Sequence, residues 1–213
     1  MTVLDLHVHS ALNGGYARPS EYAKRVGYLR ENGYKVDGFV LTEHVKFVPA
    51  DFFDDFLRKY KVLAFRGVEI NTVFGHALLI GVANNSFRRC RIHKIQEIID
   101  WSYDNNASFI PAHPFSNGRK SRWDYALPKL RGVYAIEGLN GAMSAEENCR
   151  AIDYAHRHKL KTTGGSDAHR LRQFARALTD FRADIESMDD LLDALAHGRY
   201  RPVSLEDSLI EEK

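Results

Sequence analysis

Cysteine is scarce. The 213 residues hold only Cys90 and Cys149, with no C-x-x-C pair, so neither a disulfide-stapled secreted scaffold nor a thiolate-built structural zinc is expected. Each is expected as a small buried hydrophobe. An excess of one charge is also missing: 30 basic against 28 acidic residues leave +2, which gives no general argument for a nucleic-acid partner and leaves only local basic loops. No apolar run reaches the length needed to cross a bilayer. The chain enters Val3-Leu4-Asp5-Leu6 without the basic region and long apolar stretch of a secretory leader, so a cytoplasmic location is expected. Repeats, linkers and low-complexity segments are lacking, and the length suits one α/β unit or barrel over residues 1–213.

What is present is a polar alternation inside an apolar strand, Asp5-Leu6-His7-Val8-His9. Residues i and i+2 of a strand share a face, so His7 and His9 are expected to point one way while Leu4, Leu6 and Val8 pack behind them. Two adjacent imidazoles are half of a metal site for Zn, Fe or Mn, or else a hydrogen-bonded buried pair.

The rest of the chain alternates strand and helix signals. Pro19 with Tyr22, Val26 and Leu29 marks a helix that Gly33 ends. Residues 36–42 form a second strand, followed by Glu43-His44. A short amphipathic helix at 50–60 should bury Phe52, Phe53, Phe56 and Leu57. Strands 62–70 and 76–82 are joined by too few residues for a crossover helix, so they suit a hairpin. Ile92, Ile95, Ile98 and Ile99 mark a helix face, and strand 107–112 delivers His113-Pro114. A sixth strand at 132–136 ends in Glu137, and a seventh at 160–165 runs into Ser166-Asp167-Ala168-His169. Ser144 with Glu147, and Ser187 with Asp190, are capping-box patterns. The first opens a helix carrying Cys149, Ile152 and Ala155, and the second one with Met188, Leu191, Leu192 and Leu195 on its face.

Ligand-type side chains recur at the carboxyl ends of these strands: His9, His44, Glu69, His113, Glu137 and Asp167. In a β/α barrel that rim carries the catalytic groups. Six of the ten histidines lie at or beside it, whereas His93, His156, His158 and His197 fall on helices or helix ends and are expected at the surface. Mixed imidazoles and carboxylates suit a hydrolytic Zn, Mn or Fe centre. Asp5 lies on the histidine side, where it could orient an imidazole or a water. Glu43 faces away from His44 and is expected to support it.

The ordered segments Asp5-Leu6-His7-Val8-His9, Thr42-Glu43-His44, Gly67-Val68-Glu69, Gly75-His76, Ala112-His113-Pro114 and Gly165-Ser166-Asp167-Ala168-His169 closely resemble the PHP (polymerase and histidinol phosphatase) family. The region from about 137 to 213 is similar to its PHP-associated C-terminal arrangement. The resemblance implies an α/β fold, a distorted (β/α)7 TIM-like barrel, with two or three divalent metals. It implies that His7, His9, Glu69 and Asp167 hold one metal and that Glu69 bridges to a second held by His76 and His113. His44 and His169 would match ligands of a third. The loop that usually adds an Asp or His there reads Leu12-Asn13-Gly14-Gly15, so Asn13 makes a weakened third site.

Lys46, Arg119, Lys120, Arg170 and Arg18 are candidates to bind substrate phosphate, with Arg119 and Arg170 preferred because each follows a metal-bearing strand end. The expected activity is that of a metal-dependent phosphoesterase on a small phosphate monoester or nucleotide. Arg119 and Arg170 would neutralise charge, and His169 or His44 would protonate the leaving group. A single-strand nuclease, an amidohydrolase and an inactive metal-stabilised scaffold are the alternatives. The sequence leaves the oligomeric state open.

Overall fold

The computed structural model describes residues 1–44, 48, 52–53, 59–84, 86–87, 94–118 and 121–210. Nine strands are defined among them: β1 (Thr2–Val8), β2 (Gly38–His44), β3 (Leu63–Thr72), β4 (Gly75–Ile80), β5 (Ser108–Pro111), β6 (Ala135–Asn140), β7 (Lys161–Gly165), β8 (Ala177–Phe181) and β9 (Tyr200–Ser204). Four helices of two or more turns accompany them: α1 (Pro19–Glu31), α2 (Ile95–Asp104), α3 (Ala145–His158) and α4 (Met188–Ala196).

Seven strands form one sheet in the order β5-β4-β3-β2-β1-β8-β9, and β6 pairs with β7 in a second. The pairings β1–β2, β2–β3 and β6–β7 are parallel; β3–β4, β4–β5, β1–β8 and β8–β9 are antiparallel. The fold is therefore mixed α/β, with less regular alternation than a (β/α)7 ring. The hairpin expected at 62–82 is β3–β4, turning at Val73-Phe74. Strands β8 and β9 have no counterpart in the sequence reading. Pro202 lies within β9, a strand at the edge of the sheet, and a proline there reads as an interruption unless the edge position is known.

Both faces of the large sheet are covered. Tyr22, Val26 and Leu29 of α1 pack with Phe39 and Phe174, while Leu191 and Leu195 of α4 pack with Leu4, Leu6, Val40 and Ile80. Ile95, Ile98 and Ile99 of α2 bury with Trp123 and Phe109. Val8 departs from its expected place: it packs with the α1 group rather than behind Leu4 and Leu6. The β1–β2 register shifts between Asp5 and Val8, and such an irregularity breaks the two-residue parity.

Both capping boxes form. Ser144 Oγ accepts from Glu147 N–H and Ser187 Oγ from Asp190 N–H, each carboxylate returning to its cap N–H. The buried face of α3 is Ala151, Tyr154 and Ala155. Cys149 is exposed and Ile152 is 40% exposed, against expectation, because Tyr154 rather than Ile152 sets the phase of that helix. Phe53 is buried, but Phe52 is exposed at the lip of a cleft. Phe56, Leu57, Cys90, Ile92 and His93 lie outside the described residues; His156, His158 and His197 are exposed. No helix among the described residues is long and apolar enough to cross a membrane.

Candidate metal centre

The carboxyl end of β1 meets those of β2, β3, β6 and β7. β7 reaches β1 through a bridge between Val8 and Ala168 and a hydrogen bond from His9 N–H to the Ala168 carbonyl at 2.9 Å. Asp167 sits in that connection with φ +52°, and His113 after β5 has φ +29°. Non-glycine residues adopt such angles only where their surroundings hold them, and here both side chains turn into one polar pit.

At its floor, His7 Nε2 and His9 Nε2 are 3.1 Å apart. His9 Nε2 is 3.4 Å from Glu69 Oε2 and 3.5 Å from Asp167 Oδ1, and His7 Nε2 is 3.5 Å from Glu69 Oε1 and 3.7 Å from Asp167 Oδ1. All four side chains are buried. Ligands about 2.1 Å from a tetrahedral ion lie about 3.4 Å from one another, so these spacings fit a cation at the point where the atoms converge. Glu69 also faces a second group, with Oε1 2.8 Å from His76 Nδ1 and 3.1 Å from His113 Nε2. His9, His44 and His169 form a further set of nitrogens within metal-binding reach of one another. His44 stacks on His9 at a centroid distance of 4.2 Å, and His169 lies tilted against it at 4.4 Å. The side chains of His44, His76 and His169 are about one third exposed and mark the open side.

Electrostatics agree with a cation site. Burial opposes charge on His7, but Glu137, Asp167 and Glu69 outweigh it and hold its proton affinity well above the ordinary value. Burial pushes His9 down to about 4, leaving a neutral imidazole. Burial also opposes ionisation of Glu69, yet His7, His113 and His44 outweigh it and keep that carboxyl well below its usual range. The buried Nδ1 atoms of His9 and His113 have no hydrogen-bond partner among the described residues. Buried carboxylates converging on imidazole nitrogens, with polar atoms left over, suit a divalent ion, which would take the place of the proton that the same carboxylates favour on His7.

Residues around the pit hold its members in place. Glu137 Oε1 meets His7 Nδ1 at 2.9 Å, and its Oε2 accepts from His113 N–H at 2.7 Å and from Asn140 Nδ2 at 2.9 Å. The sequence marked Glu137 as a strand-end residue without a task; Asn140 was missed. These two are three positions apart and would lie on opposite faces of a regular strand. The β6–β7 register shifts between Glu137 and Leu139, and that bulge brings them together.

Asp5 does not orient an imidazole. Its carboxylate accepts from the N–H groups of His7 (3.2 Å), Ser166 (2.8 Å) and Ala175 (3.0 Å), tying β1 to the segment after β7, and burial raises its pKa to about 6. Glu43 turns behind the rim and accepts from Ser10 N–H at 3.0 Å and from the Ser10 hydroxyl; burial lifts it to about 7. Asn13 donates its side-chain amide to the His44 carbonyl.

Among the basic candidates, Arg170 lies at the rim beside His169, its guanidinium 5.0 Å from the centre of the Tyr16 ring. Tyr16 N–H bonds the His169 carbonyl at 2.7 Å. Arg18 is exposed and lines a cleft of about 530 Å³ with Leu12, Phe52, Lys59 and Tyr60. Lys46, Arg119 and Lys120 lie outside the described residues.

A family model described as PHP-associated matches residues 145–200. No curated protein matches this chain. In fold it is similar to a two-domain protein from Bacteroides vulgatus ATCC 8482 containing a predicted PHP-like metal-dependent phosphoesterase, with a TM-score of 0.74 and 21% identity over 96% of this chain and 65% of that one. The chain thus spans just under two thirds of the Bacteroides protein. It is also similar to an amidohydrolase from Chromobacterium violaceum with bound sulfate and no metal (TM-score 0.62, 15% identity, 90% of this chain and 96% of that one). A third likeness is to the lesion-specific endonuclease PfuEndoQ from Pyrococcus furiosus (TM-score 0.62, 16% identity, 94% of this chain and 57% of that one). At these identities the likenesses speak for the fold. Residues 145–200 thus match the PHP-associated family model, and the ordered motifs from Asp5 to His169 lie on a fold similar to that of PHP-like proteins.

Proposed function

We propose that this protein is a metal-dependent phosphoesterase acting on a small phosphate monoester or nucleotide. The observation that carries the proposal is the setting of Glu69: buried, ionised, and facing His76 and His113 through one oxygen and His9 and His44 through the other. One carboxylate shared between two imidazole groups suits a two-metal site. His7, His9, Glu69 and Asp167 would hold the first ion and Glu69, His76 and His113 the second, with Zn, Mn and Fe all suited to such ligands. Bound there, divalent ions would lower the pKa of a water and offset charge developing on phosphoryl oxygens.

The chain's own groups supply the rest. His169 donates Nδ1–H to the Asp167 carbonyl at 3.0 Å, which leaves Nε2 to hold or pass a proton. His169 or His44 gives that proton to the departing alcohol when neither is engaged as a ligand. A third ion would engage both, and Asn13 weakens that site because its amide is turned to the His44 carbonyl. Arg170 and Arg119 neutralise phosphoryl charge, and Arg18, Lys46 and Lys120 are further phosphate contacts. The same reading takes the two sheets as one distorted seven-stranded PHP barrel in a single domain over 1–213, located in the cytoplasm. Cleavage of single-stranded nucleic acid is the second reading, and the similarity in fold to the endonuclease PfuEndoQ supports nucleic acid as a substrate class.

A panel of phosphate monoesters, nucleotides and short single strands, assayed anaerobically with Mn, Zn and Fe, tests the proposal. Release of phosphate by the wild type, lost in His7→Ala and Asp167→Ala, is expected. Cleavage of oligonucleotides but not monoesters would favour the second reading. Hydrolysis of amides alone would return the chain to amidohydrolase chemistry, and inactivity on every substrate with metals bound would leave a scaffold.

A further inference from the structure

Helix α3 plays no part in the chemistry proposed above, yet one of its side chains is wired to the metal centre. Asn148 accepts from Asn140 N–H through Oδ1 at 2.9 Å and donates through Nδ2 to the Asn140 carbonyl at 3.1 Å. One amide thus grips both backbone groups of a buried residue. Asn140 is the last residue of β6, just past the bulge at Glu137–Leu139 where the ladder is irregular, so Asn148 supplies anchorage where regular pairing is weakened.

The Asn140 side chain cannot turn over without loss. Its Oδ1 accepts from Ala142 N–H at 2.9 Å, which leaves Nδ2 as the end facing the pit. That nitrogen donates to Glu137 Oε2 at 2.9 Å and lies 3.5 Å from Asp167 Oδ2. Glu137 in turn grips His7 Nδ1, and Asp167 faces His7 and His9. A neutral amide with two N–H groups suits this place. It can serve two buried carboxylates at once without bringing a positive charge that would compete with a metal.

We infer that Asn148 is a positioning residue for the metal centre, acting through Asn140 on the Glu137 and Asp167 carboxylates; this rests on the reading of that centre as metal-binding. The PHP-associated segment then has a physical task, which is to hold the end of β6 in register with the ligands.

The test is a zinc titration of the metal-stripped full chain against a chromophoric chelator, for wild type, Asn148→Ala, Asn140→Ala and the double variant. Loss of about tenfold or more in zinc affinity is expected for Asn148→Ala. Adding Asn148→Ala to Asn140→Ala should cost little more, since the effect runs through Asn140. Asn148→Asp keeps the acceptor for Asn140 N–H, guards against a variant that does not fold, and should fall between wild type and Asn148→Ala. A lower melting temperature with zinc affinity unchanged would reduce Asn148 to a structural residue, and additive losses would remove Asn140 as the intermediary. Absence of zinc binding by the wild type would instead overturn the metal reading, and this inference with it.

Discussion

His7 Nδ1 stands 2.9 Å from Glu137 Oε1, and that contact decides which nitrogen of His7 faces the pit. A carboxylate oxygen accepts, so Nδ1 keeps its proton for Glu137, and Nε2, facing His9, Glu69 and Asp167, is the nitrogen that a metal would take in place of a proton. A partner of this kind makes a histidine a better metal ligand by fixing its tautomer and orientation.

Glu137→Gln removes that acceptor charge while keeping the side chain's shape. Divalent-metal affinity is expected to fall about 10- to 100-fold, read by competition with a chelator. An unchanged affinity would mean that the His7 tautomer is set elsewhere.

Metal removal should destabilise the protein, because the carboxylates of Glu69, Asp167 and Glu137 converge on buried histidines. Zinc or manganese added to chelated protein should raise the melting temperature with concentration, by about 2.7 kcal/mol of stability at a hundredfold excess over Kd. His7→Ala should abolish most of that rise. A melting temperature indifferent to metal would sink the expectation.

Gly165→Ala tests how closely β7 approaches β1. A Cβ there would lie 2.5 Å from His7 Cβ and 2.9 Å from Glu137 Oε1. A loss of about 1–3 kcal/mol in urea unfolding, with weakened metal binding, is expected. Gly27→Ala is the contrast. A Cβ there meets nothing within 4 Å on helix α1, so a gain of about 0.5–1 kcal/mol is expected.

The α3 capping box predicts a pH dependence. The backbone N–H groups of Ser144 and Asn117 hold the Glu147 carboxyl below its ordinary 4.5. A depressed folded-state value means that the contribution is complete above pH 4.5 and is lost as pH falls through the folded value. The difference in melting temperature between wild type and Glu147→Gln should therefore be largest at neutral pH and vanish in acid. Ser144→Ala should cost about 1 kcal/mol at neutral pH.

Much of this architecture was readable from local pattern. The Tyr22, Val26 and Leu29 spacing, the two capping boxes and the short link between 70 and 76 each carry their own geometry, because helix periodicity, caps and hairpins are set by neighbours in the chain. The strand-end histidines and acids were visible for the same reason. Strands β8 and β9 were not: they are strands because β1 offers a free edge, and a proline on that margin obscures them.

Residue types and their order thus determined which side chains stand at strand ends and which chemistry they suit. Tertiary structure alone decided how they meet. Two backbone irregularities, in β1 and β6, override the two-residue rule, sending Val8 to the α1 side of the sheet and Asn140 to Glu137. Asp5 and Glu43, which look like site residues in the sequence, spend their carboxylates mainly on segments distant in the chain, Asp5 on the N–H groups of Ser166 and Ala175 and Glu43 on the N–H and hydroxyl of Ser10. Such pairings arise from long-range packing, which no local pattern encodes.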